Sequence, residues 1–372
     1  MTRAVAQWKQ EMRNSLRHGE DAPAVDALEA EEIDSVRKLY PFFSNAYYTS
    51  LIEERDDPIW KQVIPSSEEL SDPTYYMEDA LGEDGEDSPV PHLTHRYPDR
   101  VLFTVTYTCA IYCRFCTRKR KVGKYPVPRW SEMEAVFDYL RAHPEVRDVL
   151  LSGGDPLLLS DQHLDRILTE LRAIPSIEVV RIGSKLPCVL PSRITPELCE
   201  MLKKHHPLYI NTHFNHPREL TEEAATACNR LADAGIPLGC QTVLLKGVND
   251  DREVMKELML GLLKIRVKPY YLYQADLVKG THHFRTNIQA GLDIINYLQG
   301  NITGFGVPKY VIDAPGGGGK MTVAPNRLLS LDDEYATLAN YEGNVYKYPA
   351  QGSHASEIPD HALTATPLAD YL

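Results

Sequence analysis

Apolar, β-branched runs open near Val101, Val146, Ile177, Pro207, Pro237 and Lys268, and from the second onward they recur about every 30 residues. That period is the length of one strand plus one crossover helix. Helical spacing of apolar residues fills the gaps, over 131–143, 161–174, 195–205, 219–234 and 252–265, with 287–298 after the sixth run. Strands alternating with helices call for a parallel sheet with right-handed crossovers. The expected fold class is therefore α/β, a partial (β/α)6 barrel over residues 101–300, with ligands at the C-terminal ends of its strands. Residues 1–100 read as an N-terminal, mainly helical accessory segment. Its helices fall over 5–18 and 31–39, and an acidic stretch follows, Glu83-Asp84-Gly85-Glu86-Asp87, read as a solvated loop. Residues 301–372 read as a C-terminal extension with an apolar strand over 307–313, a glycine run and a polar tail, flexible from about Gln351.

Polar clusters fall where the barrel would bind. Cys109-Ala-Ile-Tyr-Cys113-Arg-Phe-Cys116 follows the first strand, Ser152-Gly153-Gly154-Asp155 the second, His213 to His216 the fourth, and Asp276 the sixth. Soft thiolates at the tight spacing of Cys109, Cys113 and Cys116 suit an iron–sulfur cluster. The local run stops at three, and Cys188, Cys199, Cys228 and Cys240 are scattered singly. A cluster held by three thiolates keeps one iron open, the logic of a catalytic metal site. The competing reading, a structural zinc site, wants a fourth Cys or His nearby, and His95 is the nearest. In this x3, x2 spacing the chain resembles the radical S-adenosylmethionine (SAM) enzymes.

Charge and cysteine usage bound the setting. A net charge of −12 disfavours nucleic acid and a polybasic membrane anchor. The N-terminus is polar and no apolar run approaches the length of a membrane span, so neither a signal peptide nor a membrane segment is expected. Seven cysteines, three of them clustered, fit a reducing, cytoplasmic compartment better than a disulfide framework.

A second motif is Asp313-Ala-Pro-Gly316-Gly-Gly-Gly319-Lys320. Its glycines permit positive φ and close approach of backbone to a ligand. It fails as a phosphate-binding P-loop, because Ala314 stands where the first glycine is needed and Met321 replaces the Ser or Thr that would hold magnesium. A lysine on a pliable glycine arm suits pyridoxal phosphate, which such a lysine holds covalently and yields to a substrate amine.

Both motifs occur together, and with DSPVPHLTHRYPDRVLF, VRDVLLSGGD, NTHFNHP, LLKGVND, PYYLYQADL, HFRT and VIDAPGGGGK the sequence resembles the lysine 2,3-aminomutases from about Trp8 through the glycine–lysine arm. The resemblance implies that Cys109, Cys113 and Cys116 ligate a [4Fe–4S] cluster carrying SAM on its open iron. It places Ser152, Gly153, Gly154, Asp155, His213 and Gln241 against SAM. Lys320 would bind pyridoxal phosphate, with Arg96, Tyr97 and Arg100 around its phosphate and ring. Arg118 would clamp the substrate carboxylate, and Asp276 and Asp313 the distal ammonium. Two carboxylates against one cation fit a basic amino acid and disfavour glutamate.

The implied activity is an isomerase that moves the 2-amino group of L-lysine to C3 to give L-β-lysine. It would use a 5′-deoxyadenosyl radical and a pyridoxal phosphate external aldimine. An electron donor such as flavodoxin or ferredoxin, and a homo-oligomeric state, complete the expected partners. Arginine, or a protein-bound lysine as in the elongation factor P type, stays open as the substrate. A non-catalytic iron–sulfur or zinc interaction protein on the same barrel is the reading of a different class, and Lys320 on its glycine arm argues against it. Two features depart from the family pattern. No cysteine follows Cys240, so the zinc site of some members is expected to be absent, and Phe115 stands where a histidine is common.

Overall fold

The computed structural model describes residues 3–350 and 366–367. The expected tail beyond Gln351 lies outside the described residues, apart from that last pair. The centre is a nine-stranded sheet in sequence order: β1 (Leu93–Tyr97), β2 (Arg100–Thr106), β3 (Asp148–Gly153), β4 (Val179–Gly183), β5 (Leu208–Thr212), β6 (Leu238–Leu244), β7 (Lys268–Gln274), β8 (Lys309–Ala314) and β9 (Gly319–Thr322). Pairings from β2 to β8 are all parallel, while β1 and β9 pair antiparallel at the two edges. The six expected strands are β2 to β7. The apolar strand expected in the extension is β8, which joins β7 as a seventh parallel strand. The sheet thus begins before residue 101 with β1 and continues past residue 300.

Helices alternate with the strands. Four lie in the N-terminal segment: α1 (Arg3–Arg13), α2 (Ala27–Arg37), α3 (Ala46–Thr49) and α4 (Pro58–Val63). The others are α5 (Trp130–Ala142), α6 (Asp161–Arg172), α7 (Leu186–Val189), α8 (Pro196–Lys203), α9 (Glu222–Asp233), α10 (Arg252–Lys264) and α11 (Ile288–Asn301). Their starts are set by short polar side chains that accept otherwise unpaired amides. Ser160 caps α6, Thr195 α8, Thr221 α9, Asp251 α10 and Asn287 α11. α6 buries Leu164, Ile167, Leu168 and Leu171, a helical stripe in which each side chain contributes about 1.5–3 kcal/mol by leaving water.

Strand alternation decides what faces the ligand side. In β3, Val149 and Leu151 are fully buried in the core, whereas Leu150 and Ser152 line the central cavity. A separate four-stranded antiparallel sheet (Leu328–Leu331, Tyr335–Ala339, Asn344–Pro349 and Thr366–Pro367) follows. Among the described residues, no helix is long and apolar enough to cross a membrane.

Candidate active site

The C-terminal ends of the parallel strands open on a cavity of about 760 Å3. Cys109, Cys113 and Cys116 line it, with Ser152, Gly153, Gly154, Asp155, His213, Gln241, Asp276, Asp313, Lys320, Arg96, Tyr97, Arg100 and Arg118. Every residue expected at the site from the sequence therefore borders one space, although the cysteine loop and Lys320 are some two hundred residues apart.

The N-terminal segment holds the cysteine loop from behind. Tyr112 N–H donates to the Phe43 carbonyl at 2.8 Å, Arg114 N–H to the Gln62 carbonyl at 2.9 Å, and Asn45 Nδ2 to the Ala110 carbonyl at 3.1 Å. Between the second and third cysteines, the Arg114 side chain turns away into a buried triad. Its Nε lies 2.8 Å from Glu69 Oε1, and Lys119 Nζ lies 2.6 Å from Glu69 Oε2. Lys119 also donates to the carbonyls of Arg114 (2.8 Å) and Gly280 (2.7 Å).

All three loop cysteines are free and half-buried. Burial raises each thiol, Cys113 to about 12, so these sulfurs become thiolates only when a cation compensates them. Among the described residues, no three His, Cys, Asp or Glu side chains converge as ligands of a single ion. An iron–sulfur cubane does not ask for that, since each thiolate binds its own iron. Phe115, between the last two cysteines, sits in an apolar group with Leu245, Val248, Ala275 and Phe284, its ring 5.6 Å from that of His213.

The glycine that ends β3 and the one after it serve the loop. A Cβ on Gly153 (φ +119°) would stand 2.2 Å from the Thr106 carbonyl, and one on Gly154 would stand 2.4 Å from the Thr108 carbonyl. Only glycine lets this strand end lie against the start of the cysteine loop. Asp155 is buried and engaged by the chain itself, accepting from Ser184 Oγ at 2.7 Å and Lys185 N–H at 2.7 Å. Burial pushes its carboxyl up to about 6, against the pull of those donors.

At the end of β5, His213 Nε2 is 3.0 Å from Asn215 Oδ1. Burial, with Lys185 nearby, pushes the imidazole down to about 3, so it is neutral near pH 7. Beside it, Asn211 Nδ2 and Thr212 Oγ1 are buried without a hydrogen-bond partner among the described residues, and both residues border the cavity. Unpaired buried polar atoms facing a cavity mark a place for a polar ligand.

On the far side, the β8–β9 hairpin sets Asp313 directly across from Lys320. Lys320 Nζ lies 2.9 and 2.8 Å from the two Asp313 oxygens, and 5.2 Å from the centre of the Tyr273 ring. The turn uses Gly316 (φ +69°) and Gly317 (φ +90°), conformations in which a side chain would be strained. Tyr97 Oη accepts the Lys320 backbone N–H at 2.9 Å, and the Arg100 guanidinium lies 3.9 Å from the Tyr97 ring centre. Burial, then the Asp313 charge, pushes the Asp276 carboxyl up to about 7.

The acidic stretch is a loop exposed over residues 84–86, as expected, yet several of its carboxylates are paired. Glu83 is nearly buried and pairs with Arg118, Asp84 pairs with Arg120 and Lys121, and Asp87 pairs with Arg96. These carboxylates neutralise Arg118, Arg120 and Lys121, and one arginine expected at the cofactor phosphate. Opposed charge runs in the sequence were the available signal. Sequence reading also missed Glu69 and the buried pair of Lys185 with Glu219 (2.9 Å), whose carboxyl Lys185 and the Asn215 N–H hold down at about 2 although burial alone would raise it.

Known proteins match along the chain. The family described as the Radical SAM superfamily matches residues 103–259, and that described as Lysine-2,3-aminomutase matches residues 295–366. The L-lysine 2,3-aminomutase of Methanococcus maripaludis is 53% identical over 327 residues, covering 87% of this chain and 75% of its own. That of Clostridium subterminale is 51% identical over 350 residues, covering 92% and 83%. The glutamate 2,3-aminomutase of Clostridioides difficile is 46% identical over 322 residues, covering 86% and 76%.

Proposed function

The chain belongs to the lysine 2,3-aminomutase family of the radical SAM superfamily, and on that premise we propose that it moves the 2-amino group of L-lysine to C3, giving L-β-lysine. The observation that carries the choice of lysine is the carboxylate pair Asp276 and Asp313. They border the same cavity, and burial, with the Asp313 charge added to it, lifts Asp276 to about 7. A distal ammonium is stabilised between them, whereas a glutamate side chain would add a third negative charge.

The residues present fit the family's cofactors: free thiols facing the cavity, orphaned polar atoms beside His213, and a lysine on a positive-φ hairpin. When bound, the cluster and SAM supply a carbon radical able to take hydrogen from C3, and pyridoxal phosphate eases migration of nitrogen between neighbouring carbons. Cys109, Cys113 and Cys116 hold the cluster. Ser152, Gly153, Gly154, Asp155, His213 and Gln241 border SAM, His213 as a neutral hydrogen-bonding group. Lys320 anchors the pyridoxal group, with Arg96, Arg100 and Tyr97 at its phosphate and ring. Arg118 takes the substrate carboxylate and fixes the end of the molecule nearest the migrating nitrogen. Phe115 and its apolar neighbours keep water from the cluster side. A flavodoxin- or ferredoxin-type electron donor, a homo-oligomeric assembly and a reducing cytoplasm belong to the same proposal.

The test supplies anaerobically reconstituted protein with reductant and, separately, L-lysine, L-arginine, L-glutamate and a lysine-bearing protein. Turnover of lysine well ahead of the others is expected. Equal or faster turnover of glutamate would remove the role given to Asp276 and Asp313.

A further inference from the structure

Arg118 engages groups of its own chain along both sides of its guanidinium. Nε donates to Glu83 Oε2 at 2.8 Å and Nη2 to Glu83 Oε1, a two-pronged pair. Nη1 donates to Ser152 Oγ at 3.1 Å and to the Gly153 carbonyl at 3.3 Å. Both side chains are nearly shut off from solvent, 13% exposed for Arg118 and 9% for Glu83. The edge that would grip an incoming carboxylate is filled by a carboxylate already.

The pair also forms a partition. Glu83, Arg118 and Thr94 border the main cavity and, on their other side, a second cavity of about 380 Å3. Lys121 and His92 line that second space. Lys121 pairs there with Asp84, the residue next to Glu83, so a cation stands on the far side of the partition. Gly82, at φ +64°, precedes Glu83 and gives the backbone a pivot there.

We propose that Glu83 occupies the substrate-carboxylate position of the unloaded protein, and that substrate binds by exchanging one carboxylate for another. The incoming carboxylate takes the Nε–Nη2 edge of Arg118, and Glu83 turns into the second cavity toward Lys121. The inference rests on reading Arg118 as the carboxylate clamp. An exchange of like charges keeps the buried guanidinium paired throughout, so the site is never left with an uncompensated cation. It also makes Glu83 a specificity residue. A diamine or an amide cannot displace a carboxylate from a guanidinium, so ligands lacking the carboxylate are refused by a group that touches nothing else on them.

The test uses protein carrying cluster and pyridoxal phosphate, without reductant, so that nothing turns over. L-lysine and L-lysinamide are titrated while the absorption of the bound cofactor is followed. In Glu83→Gln, whose amide holds Arg118 by weaker, uncharged contacts, lysine should bind on the order of tenfold tighter, with lysinamide unchanged. Weaker or unchanged lysine binding would overturn the proposal and make Glu83 a support that positions Arg118. In the unmutated protein, hydrogen exchange over residues 79–88 should rise with lysine and not with lysinamide; no rise with lysine counts against the exchange even if the variant does not fold. Arg118→Gln separates the underlying reading. If it leaves the preference for lysine over lysinamide intact, Arg118 is not the clamp, whatever Glu83 does.

Discussion

Replacing Glu69 by glutamine should loosen the cysteine loop from behind without touching the cavity. Glu69, Arg114 and Lys119 have side chains 0%, 1% and 5% exposed, so one carboxylate compensates two cations in a nearly dry setting. Removing one partner of such a group costs about 3–5 kcal/mol, because the remaining charges stay buried. Arg114 keeps the Pro41 carbonyl at 2.8 Å, and Lys119 keeps the carbonyls of Arg114 and Gly280, so the lower figure, about 3 kcal/mol, is expected. Urea unfolding of iron-free protein, followed by tryptophan fluorescence, measures it. With an m-value of about 3 kcal/mol/M the midpoint should fall by roughly 1 M. Iron retained after anaerobic reconstitution should fall as well, since Arg114 lies between two of the cysteines proposed to hold the cluster. Adding Lys119→Met should restore part of the loss, because one cation then needs no partner. The pH dependence has a fixed sign. Burial alone would raise the Glu69 carboxyl, but Arg114 and Lys119 outweigh it and hold it below the ordinary value. Its stabilisation is therefore present above the ordinary carboxylate value and lost as pH falls through the lowered one. A loss under about 1 kcal/mol with full iron content would refute the reasoning, since so small a cost is typical of an exposed pair.

Other outcomes follow from the far wall of the cavity. With Asp276 lifted to about 7, affinity for lysine should rise as pH passes from 6 to 8, and Asp276→Asn should flatten that profile in a binding titration. The same lift means that ionising Asp276 costs the folded state, so stability from this group falls as pH rises from the ordinary carboxylate value through about 7. Denaturant melts at pH 8 should find Asp276→Asn more stable than the unmutated protein. Lys320→Ala should abolish the visible absorption of covalently held pyridoxal phosphate while leaving iron content unchanged, as the lysine lies on β9 and the thiols on the loop after β2. Gly153→Ala should cost about 2 kcal/mol or more in urea melts, because φ +119° and a carbonyl 2.2 Å from the new Cβ cannot both be kept.

Local signals fixed much of the architecture. Ser160 followed by a stripe of Leu164, Ile167, Leu168 and Leu171 reads as a capped amphipathic helix, and α6 runs Asp161–Arg172. Strand β1 escaped notice because Leu-Thr-His-Arg-Tyr has no apolar alternation and exists by pairing with β2. Strand β8 was legible as a strand but not as a barrel member, since its partner β7 lies across α11 and only the fold joins them. The cysteines and Lys320 stood out because their spacing carries chemistry. Glu69, Glu83 and Glu219 did not, for their partners Arg114, Arg118 and Lys185 are 45, 35 and 34 residues away. Nothing local separates a buried glutamate from a solvated one.

The central claim is that nitrogen moves from C2 to C3 of lysine on this chain. L-lysine labelled with 15N at the 2-amino group and 13C at C3, turned over anaerobically by reconstituted protein, tests it in one NMR spectrum. The product should show a direct one-bond coupling between 13C3 and 15N. Lysine recovered with 15N still on C2, from protein shown to carry its cluster and cofactor, would contradict it.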